Sequence, residues 1–248
     1  MDKNFRVQVI SFFRAKPKAP LNPLQVDMHS HLLAALDDGV KTHQEAITIV
    51  QQFQQLGYTR LITTPHIMSD TYRNTPEGIR SKLEELQSEL KLAGIAMQVE
   101  AAAEYYLDET VLALLDSDAQ LLTFAGTHFL FETNFYSEPY QLNDFIFKSL
   151  TKGYKPILAH PERYAYMTIE KAEELYHRGV LLQINSLSLI GFYGKPIQKL
   201  AQKLIDQKWV HVLGSDCHNI LQVQLQTEII KDKYYRKALD LPLLNNKL

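Results

Sequence analysis

Asp27-Met28-His29-Ser30-His31 is followed six residues later by Asp37-Asp38-Gly39. His29 and His31 are two apart, and on a strand alternate side chains point to one face. With 26–31 as a strand or its frayed end, both imidazoles face the same side. Two converging imidazoles suit a transition-metal ion. Taken alone, the pair fits a surface turn equally well, so the surrounding chain must decide.

Outward from this stretch the pattern is regular. Thr42-His43-Gln44-Glu45 has capping-box spacing, Ile47, Val50 and Phe53 follow at helical spacing, and Gly57 stops the helix. Arg60 to Thr63 reads as a short strand running into Thr64-Pro65-His66. Thr75-Pro76 opens a second helix that Gly94 ends. Strands are then expected over 95–103, 129–132, 156–159, 180–185 and 209–213. Helices are expected over 109–115, 139–150, 169–178, 196–207 and 224–239. About seven βα units with no linker imply a parallel sheet. This many units favour one distorted (β/α)7 TIM-like barrel over two domains.

Composition sets the class. The chain has 248 residues, 46% hydrophobic and 22% charged, enough for one large α/β core. A formal net charge of -2 argues against nucleic acid or a membrane surface as the main partner. The single cysteine, Cys217, excludes an internal disulfide framework and fits a reducing, cytoplasmic setting. No apolar run reaches the roughly 18 residues of a spanning helix. Residues 1–24 are expected to form an N-terminal tail, flexible or loosely docked rather than a membrane-surface anchor. They lack the apolar segment and cleavage site of a signal peptide. Residues 25–248 are expected to form one domain.

Placed on this map, the metal-type side chains fall at strand C-termini or in the loops after them. They are His29, His31, Asp38, His66, Glu104, Glu132, His160, Asp216 and His218. In a parallel barrel those positions share one rim, where active sites lie. Nine nitrogen and oxygen ligands are too many for one ion and enough for three. With one carboxylate bridging, they suit Mn, Fe or Zn rather than Ca or Mg. Three divalent ions outweigh four carboxylates, so the site would attract a phosphate dianion and acidify bound water.

These residues carry a resemblance. His29-Ser30-His31, Thr64-Pro65-His66, Glu104, Glu132, His160-Pro161-Glu162-Arg163-Tyr164 and Ser215-Asp216-x-His218 resemble the PHP (polymerase and histidinol phosphatase) superfamily. Within it they are most similar to the bacterial protein-tyrosine phosphatases of capsule and exopolysaccharide operons. The likeness covers about residues 25 to 220.

The resemblance implies a PHP fold and metal-dependent hydrolysis of phosphotyrosine in proteins, with a bacterial tyrosine autokinase as partner. It implies three divalent ions, manganese preferred and iron or zinc as alternatives. His29, His31, Glu104 and Asp216 would hold the first. Glu104 would bridge to a second, completed by Glu132 and His160. Asp38, His66 and His218 would hold the third. Arg163 matches the arginine that grips the phosphate, and a planar donor fork suits that task. Asp37 would orient a ligating histidine.

Two departures stand out. The loop that usually carries Pro-Gly reads Leu33-Ala34-Ala35-Leu36. A second arginine found in Gram-positive members has no counterpart in 219–226, leaving Arg73, Lys195 or Arg163 alone for that role. His43, His128, His177 and His211 are expected to be structural. Cys217 lacks the phosphate loop of cysteine phosphatases and is expected to be a spectator. Tyr72, Tyr164, Tyr166, Phe192 and Tyr193 fit either walls around a phenyl ring or plain loop packing. The rivals are a small-molecule phosphatase of the histidinol phosphate type, a nucleotide phosphodiesterase and a non-catalytic PHP module.

Overall fold

The computed structural model describes residues 22–247. The expected tail therefore lies outside the described residues up to residue 21. Asn22 and Leu24 are buried, and Asn22 Oδ1 accepts from Tyr235 Oη at 2.5 Å.

The chain runs β1 (Val26–Asp27), α1 (His43–Leu56), β2 (Arg60–Thr63), β3 (His66–Ile67), α2 (Pro76–Leu92), β4 (Gln98–Ala101), β5 (Glu104–Tyr106) and α3 (Glu109–Asp116). It continues with β6 (His128–Glu132), α4 (Leu142–Thr151), β7 (Lys155–Leu158), a 3-10 turn (Pro161–Arg163) and α5 (Ile169–His177). The last elements are β8 (Leu181–Asn185), α6 (Ser186–Leu189), α7 (Lys195–Asp206), β9 (Val210–Gly214), α8 (Ile220–Ile229), α9 (Lys233–Leu239) and a 3-10 turn (Leu244–Asn246).

The strands form two all-parallel sheets, β1-β2-β4 and β3-β5-β6-β7-β8-β9. The strand expected over 60–63 forms as β2 and is followed by a further short strand, and the one expected over 95–103 is split. After β2 the chain breaks at Thr64-Pro65, where proline has no N–H to give a ladder, and resumes as β3 in the other sheet. After β4 it breaks at Ala102-Ala103 and resumes as β5 beside β3. At the other edge, Ser30 bridges Cys217 in parallel, and Asp216 N donates to His29 O at 2.8 Å. Asn245 ties the same edges by donating to Val26 O and Leu213 O.

Strand alternation divides the core. On β6, Phe129 and Phe131 meet Phe145 of α4, with ring centroids 5.9 and 4.8 Å apart, while Leu130 faces the opposite way. Leu130 joins Val26, Met28, Ile62, Ile157 and Val212 in a smaller apolar cluster on the strand face away from the helices. The strands are apolar on both faces because both are covered.

The helix starts follow local chemistry. The Thr42–Glu45 capping box forms in full, and Thr75 and Thr168 cap α2 and α5. Three expectations need correction. The helix expected from Pro139 begins at Leu142, because Leu142 N closes a turn onto Pro139 O. The single helix expected over 224–239 is two, since Asn219 starts one earlier and Asp232 caps a new one with its side chain. The short α6 was not expected.

Candidate metal centre

All nine expected ligand side chains meet at the C-terminal ends of the parallel strands. His29 and His31 follow β1, and Asp38 lies in the next loop. His66 and Glu104 open β3 and β5, paired in register just beyond β2 and β4. Glu132 ends β6, His160 follows β7, and Asp216 and His218 follow β9. Their ligand atoms form four overlapping groups, each with all atoms within 4.8 Å. These are His29, His160 and Asp216; His29, His31 and Glu104; His66, Glu104 and Glu132; and His31, Asp38, His66 and His218.

The chemistry of this set fits metal ions. His29 Nε2 and His31 Nε2 face each other at 3.2 Å, and Glu104 Oε2 lies 3.2 Å from His29 Nε2 and from His66 Nδ1. His66 Nδ1 also lies 3.0 Å from Glu132 Oε1, and among the described residues the buried Nδ1 of His160 has no hydrogen-bond partner. Burial alone would deprotonate the imidazoles, yet the Glu104 carboxylate raises His66 to about 12, and Glu104 with Asp216 raises His29 to about 9. Burial would likewise raise Glu104, but the charges of His29 and His66 hold it well below the usual carboxylate range. Buried carboxylates thus draw protons onto the ring nitrogens that face them. A divalent ion would replace those protons, since its ligands must be deprotonated.

Supporting groups set each ligand's orientation. Asp37 Oδ2 lies 2.8 Å from His31 Nδ1 and also accepts from His66 N. Asp37 is held down to about 2: burial would raise it, but the His31 charge and hydrogen bond prevail. Gln183 Oε1 accepts from His160 N at 3.2 Å and stands 2.9 Å from His29 Nδ1. Its Nε2 donates to Asn185 Oδ1, and Asn185 Nδ2 donates to Asp216 Oδ2 at 2.6 Å. Asp27 accepts from both the N–H and the hydroxyl of Ser215, and burial raises its carboxyl to about 7.

Two of the ligands also hold strained backbone. His160 and Asp216 adopt φ of 34° and 50°, conformations that cost a non-glycine residue energy and persist where the surroundings enforce them. Gly39 and Gly214 permit close approach: a Cβ on Gly39 would lie 2.3 Å from His31 O, and one on Gly214 2.7 Å from His29 Cβ.

The ligands open into a cleft of about 560 Å³ walled by Tyr72, Tyr106, Phe135, Tyr136 and Tyr193. Tyr72 lies parallel to the His66 ring at 5.5 Å. Tyr164 and Tyr166 instead pack on each other, and Phe192 packs edge-on against Tyr193. Arg163 also lines the cleft. Its Nη1 donates to Asp216 Oδ2 at 2.8 Å, and its guanidinium sits between Phe135 and Tyr193, 4.9 and 4.6 Å from the ring centres. Its neighbour Glu162 turns away, accepting from Asn185 N and Ser188 Oγ. Neither Arg73 nor Lys195 lines the cleft, and Arg73 Nε donates to Ser69 O.

The remaining candidates lie elsewhere. His43 meets Glu85, His128 the carbonyl of Ala125, His177 Glu173, and His211 accepts from Leu182 N. Cys217 is buried, its Sγ 3.4 Å from Asn219 O, and burial raises its thiol pKa. Sequence reasoning missed Gln183, Asn185, Tyr106, Phe135 and Tyr136. The amides did carry a signal, being polar and two apart at the C-terminal end of an otherwise apolar strand.

The chain matches a family model described as capsular polysaccharide synthesis, CpsB/CapC, over residues 25–239. It is 31% identical over 230 residues to CapC of Staphylococcus aureus, covering 90% of each chain. It is 30% identical over 207 residues to the tyrosine-protein phosphatase YwqE of Bacillus subtilis, covering 82% of this chain and 81% of that one. Among solved structures it resembles one from work on YwqE of Bacillus subtilis and CpsB of Streptococcus pneumoniae, described as unique metal-dependent tyrosine phosphatases. That match has a TM-score of 0.74 and 27% identity over 90% of each chain.

Proposed function

This chain belongs to the CpsB/CapC family of capsular polysaccharide synthesis, and we propose that it is a metal-dependent phosphatase of phosphotyrosine in proteins. The observation that carries this reading is five imidazoles and four carboxylates converging on one rim, with a guanidinium beside them. The relatives named as tyrosine-protein phosphatases, matched along most of the chain, support it.

Three divalent ions, manganese preferred, are assigned as follows. His29, His31, Glu104 and Asp216 would hold the first, Glu104, Glu132 and His160 the second, and Asp38, His66 and His218 the third. When bound, such ions supply Lewis acidity and lower the pKa of water. The chain's own residues do the rest. Asp37 and Gln183 keep the Nε2 atoms of His31 and His29 turned inward. Among the described residues, Nη1 alone of the Arg163 guanidinium nitrogens has a hydrogen-bond partner, so its other donors are left for phosphoryl oxygens. Phe135 and Tyr193 hold the guanidinium plane in place, which preorganises charge for the transition state. The aromatic walls flank the phenyl ring and limit water. No covalent phosphoenzyme is needed, and Cys217, buried with its thiol pKa raised by that burial, is not placed to form one.

The reading extends to a single domain over 25–248, with the two sheets acting as one distorted (β/α)7 barrel. The partner is a bacterial tyrosine autokinase in the cytoplasm; among the described residues no helix is long and apolar enough to cross a membrane. A panel of phosphotyrosine peptide, histidinol phosphate and a nucleotide diester, run on metal-loaded protein, tests the substrate class. The peptide should be hydrolysed at least tenfold better than the others; preference for either of them overturns the assignment. Elemental analysis of the same sample decides the number and identity of the ions.

A further inference from the structure

A second cavity, of about 620 Å³, lies beside the cleft. The two share Arg163 and Tyr193 as a common wall. The second cavity runs between the segment entering α5 and the outer face of α7. Its apolar lining comes from Met167, Ile169, Ile197 and Leu200. The last three are only partly buried, Ile169 and Leu200 packing against the edge of the main core.

Its edge is basic. Lys195, Lys199 and Lys203 are spaced four apart on α7, so they form one row, and all three are exposed. Lys199 and Lys203 line the groove itself. The acid that closes α7, Asp206, is already engaged by Lys237 at 2.8 Å. Among the described residues, Glu170 is the one exposed acid on the wall, against these two lysines. The row spans about 12 Å, the length of about four residues of extended chain.

We propose that this groove binds the stretch of substrate polypeptide flanking the phosphotyrosine, and that the lysine row selects acidic residues there. The inference rests on the phosphatase reading for its substrate. A phosphotyrosine seated by Arg163 must send its main chain out past the cleft wall, and the groove begins at that wall. Apolar side chains of the peptide cover the open floor, and carboxylates meet the lysines. Such contacts raise the encounter rate and set specificity more than they add affinity.

The test uses the full chain and two fluorescein-labelled peptides, each with a central phosphotyrosine. One has glutamates on both sides and the other has lysines. Binding is read by fluorescence anisotropy, and hydrolysis is measured in parallel with para-nitrophenyl phosphate as a small substrate. The glutamate peptide should bind the wild-type chain more tightly. Lys199→Glu/Lys203→Glu should weaken it by about tenfold, the scale of two exposed ion pairs, and leave small-substrate turnover unchanged. Equal binding of both peptides, or an unchanged glutamate-peptide affinity in the variant, overturns the groove. A charge-selective groove on a chain that hydrolyses neither substrate would instead overturn the phosphatase reading and leave the groove standing.

Discussion

The side-chain oxygen of Gln183 stands 2.9 Å from Nδ1 of His29, across 154 residues of sequence. That oxygen also accepts from His160 N, and its amide nitrogen donates to Asn185, so the orientation of the carboxamide is settled by its partners. An oxygen that can only accept places a proton on His29 Nδ1 and leaves Nε2, which faces Glu104 and His31, as the nitrogen a metal ion would take. Gln183→Leu should therefore lower metal affinity by about 10- to 100-fold, measured by competition with a chromogenic chelator. Unchanged affinity would show that His29 is oriented by other means.

Arg163 is expected to act mainly in the transition state. Arg163→Ala should lower the catalytic constant by about 100-fold or more, the scale of one preorganised donor. Arg163→Lys should recover little, because a point charge reproduces neither the planar fork nor the stacking between Phe135 and Tyr193. Steady-state kinetics and melting temperatures at saturating metal check this. Lost turnover with a large fall in melting temperature would point to a structural role through Asp216.

Cys217 should prove dispensable. Burial raises its thiol pKa, so at pH 8 it remains a protonated, inaccessible thiol. Iodoacetamide should label it only after unfolding, Cys217→Ser should retain most activity, and a chelator should abolish activity. Rapid labelling of the native protein with loss of turnover would reverse the assignment.

The loop between β1 and α1 offers two substitutions of opposite sign. Ala35 is exposed and adopts φ 62°, a conformation glycine takes without penalty, so Ala35→Gly should stabilise the fold by up to about 1 kcal/mol. Gly39 has His31 O and Cβ where its own Cβ would go, so Gly39→Ala should destabilise by about 1–3 kcal/mol. Thermal or urea unfolding of the two variants measures both.

Much of this protein follows from sequence alone. Period and caps locate the seven strand positions and most helices, because Thr42 and Thr75 act on backbone N–H groups three residues away. The nine metal-type side chains are legible too, since few bland roles place histidines and carboxylates at the end of one apolar strand after another. What needed the tertiary structure is everything decided by partners distant in the chain. Pro65 breaks a ladder, but only the fold shows that the chain there changes sheets. Asn219 and Asp232 divide the last helix by competing for N–H groups that a periodic pattern does not register. Gln183 and Asn185 read as two amides in a strand until His29, His160 and Asp216 arrive beside them. Phe135 carries no signal in the sequence and gains its role only when the fold lays Arg163 against it. An amide or an aromatic ring has many ordinary uses, and its use here is set by which groups the fold brings within hydrogen-bonding or van der Waals reach.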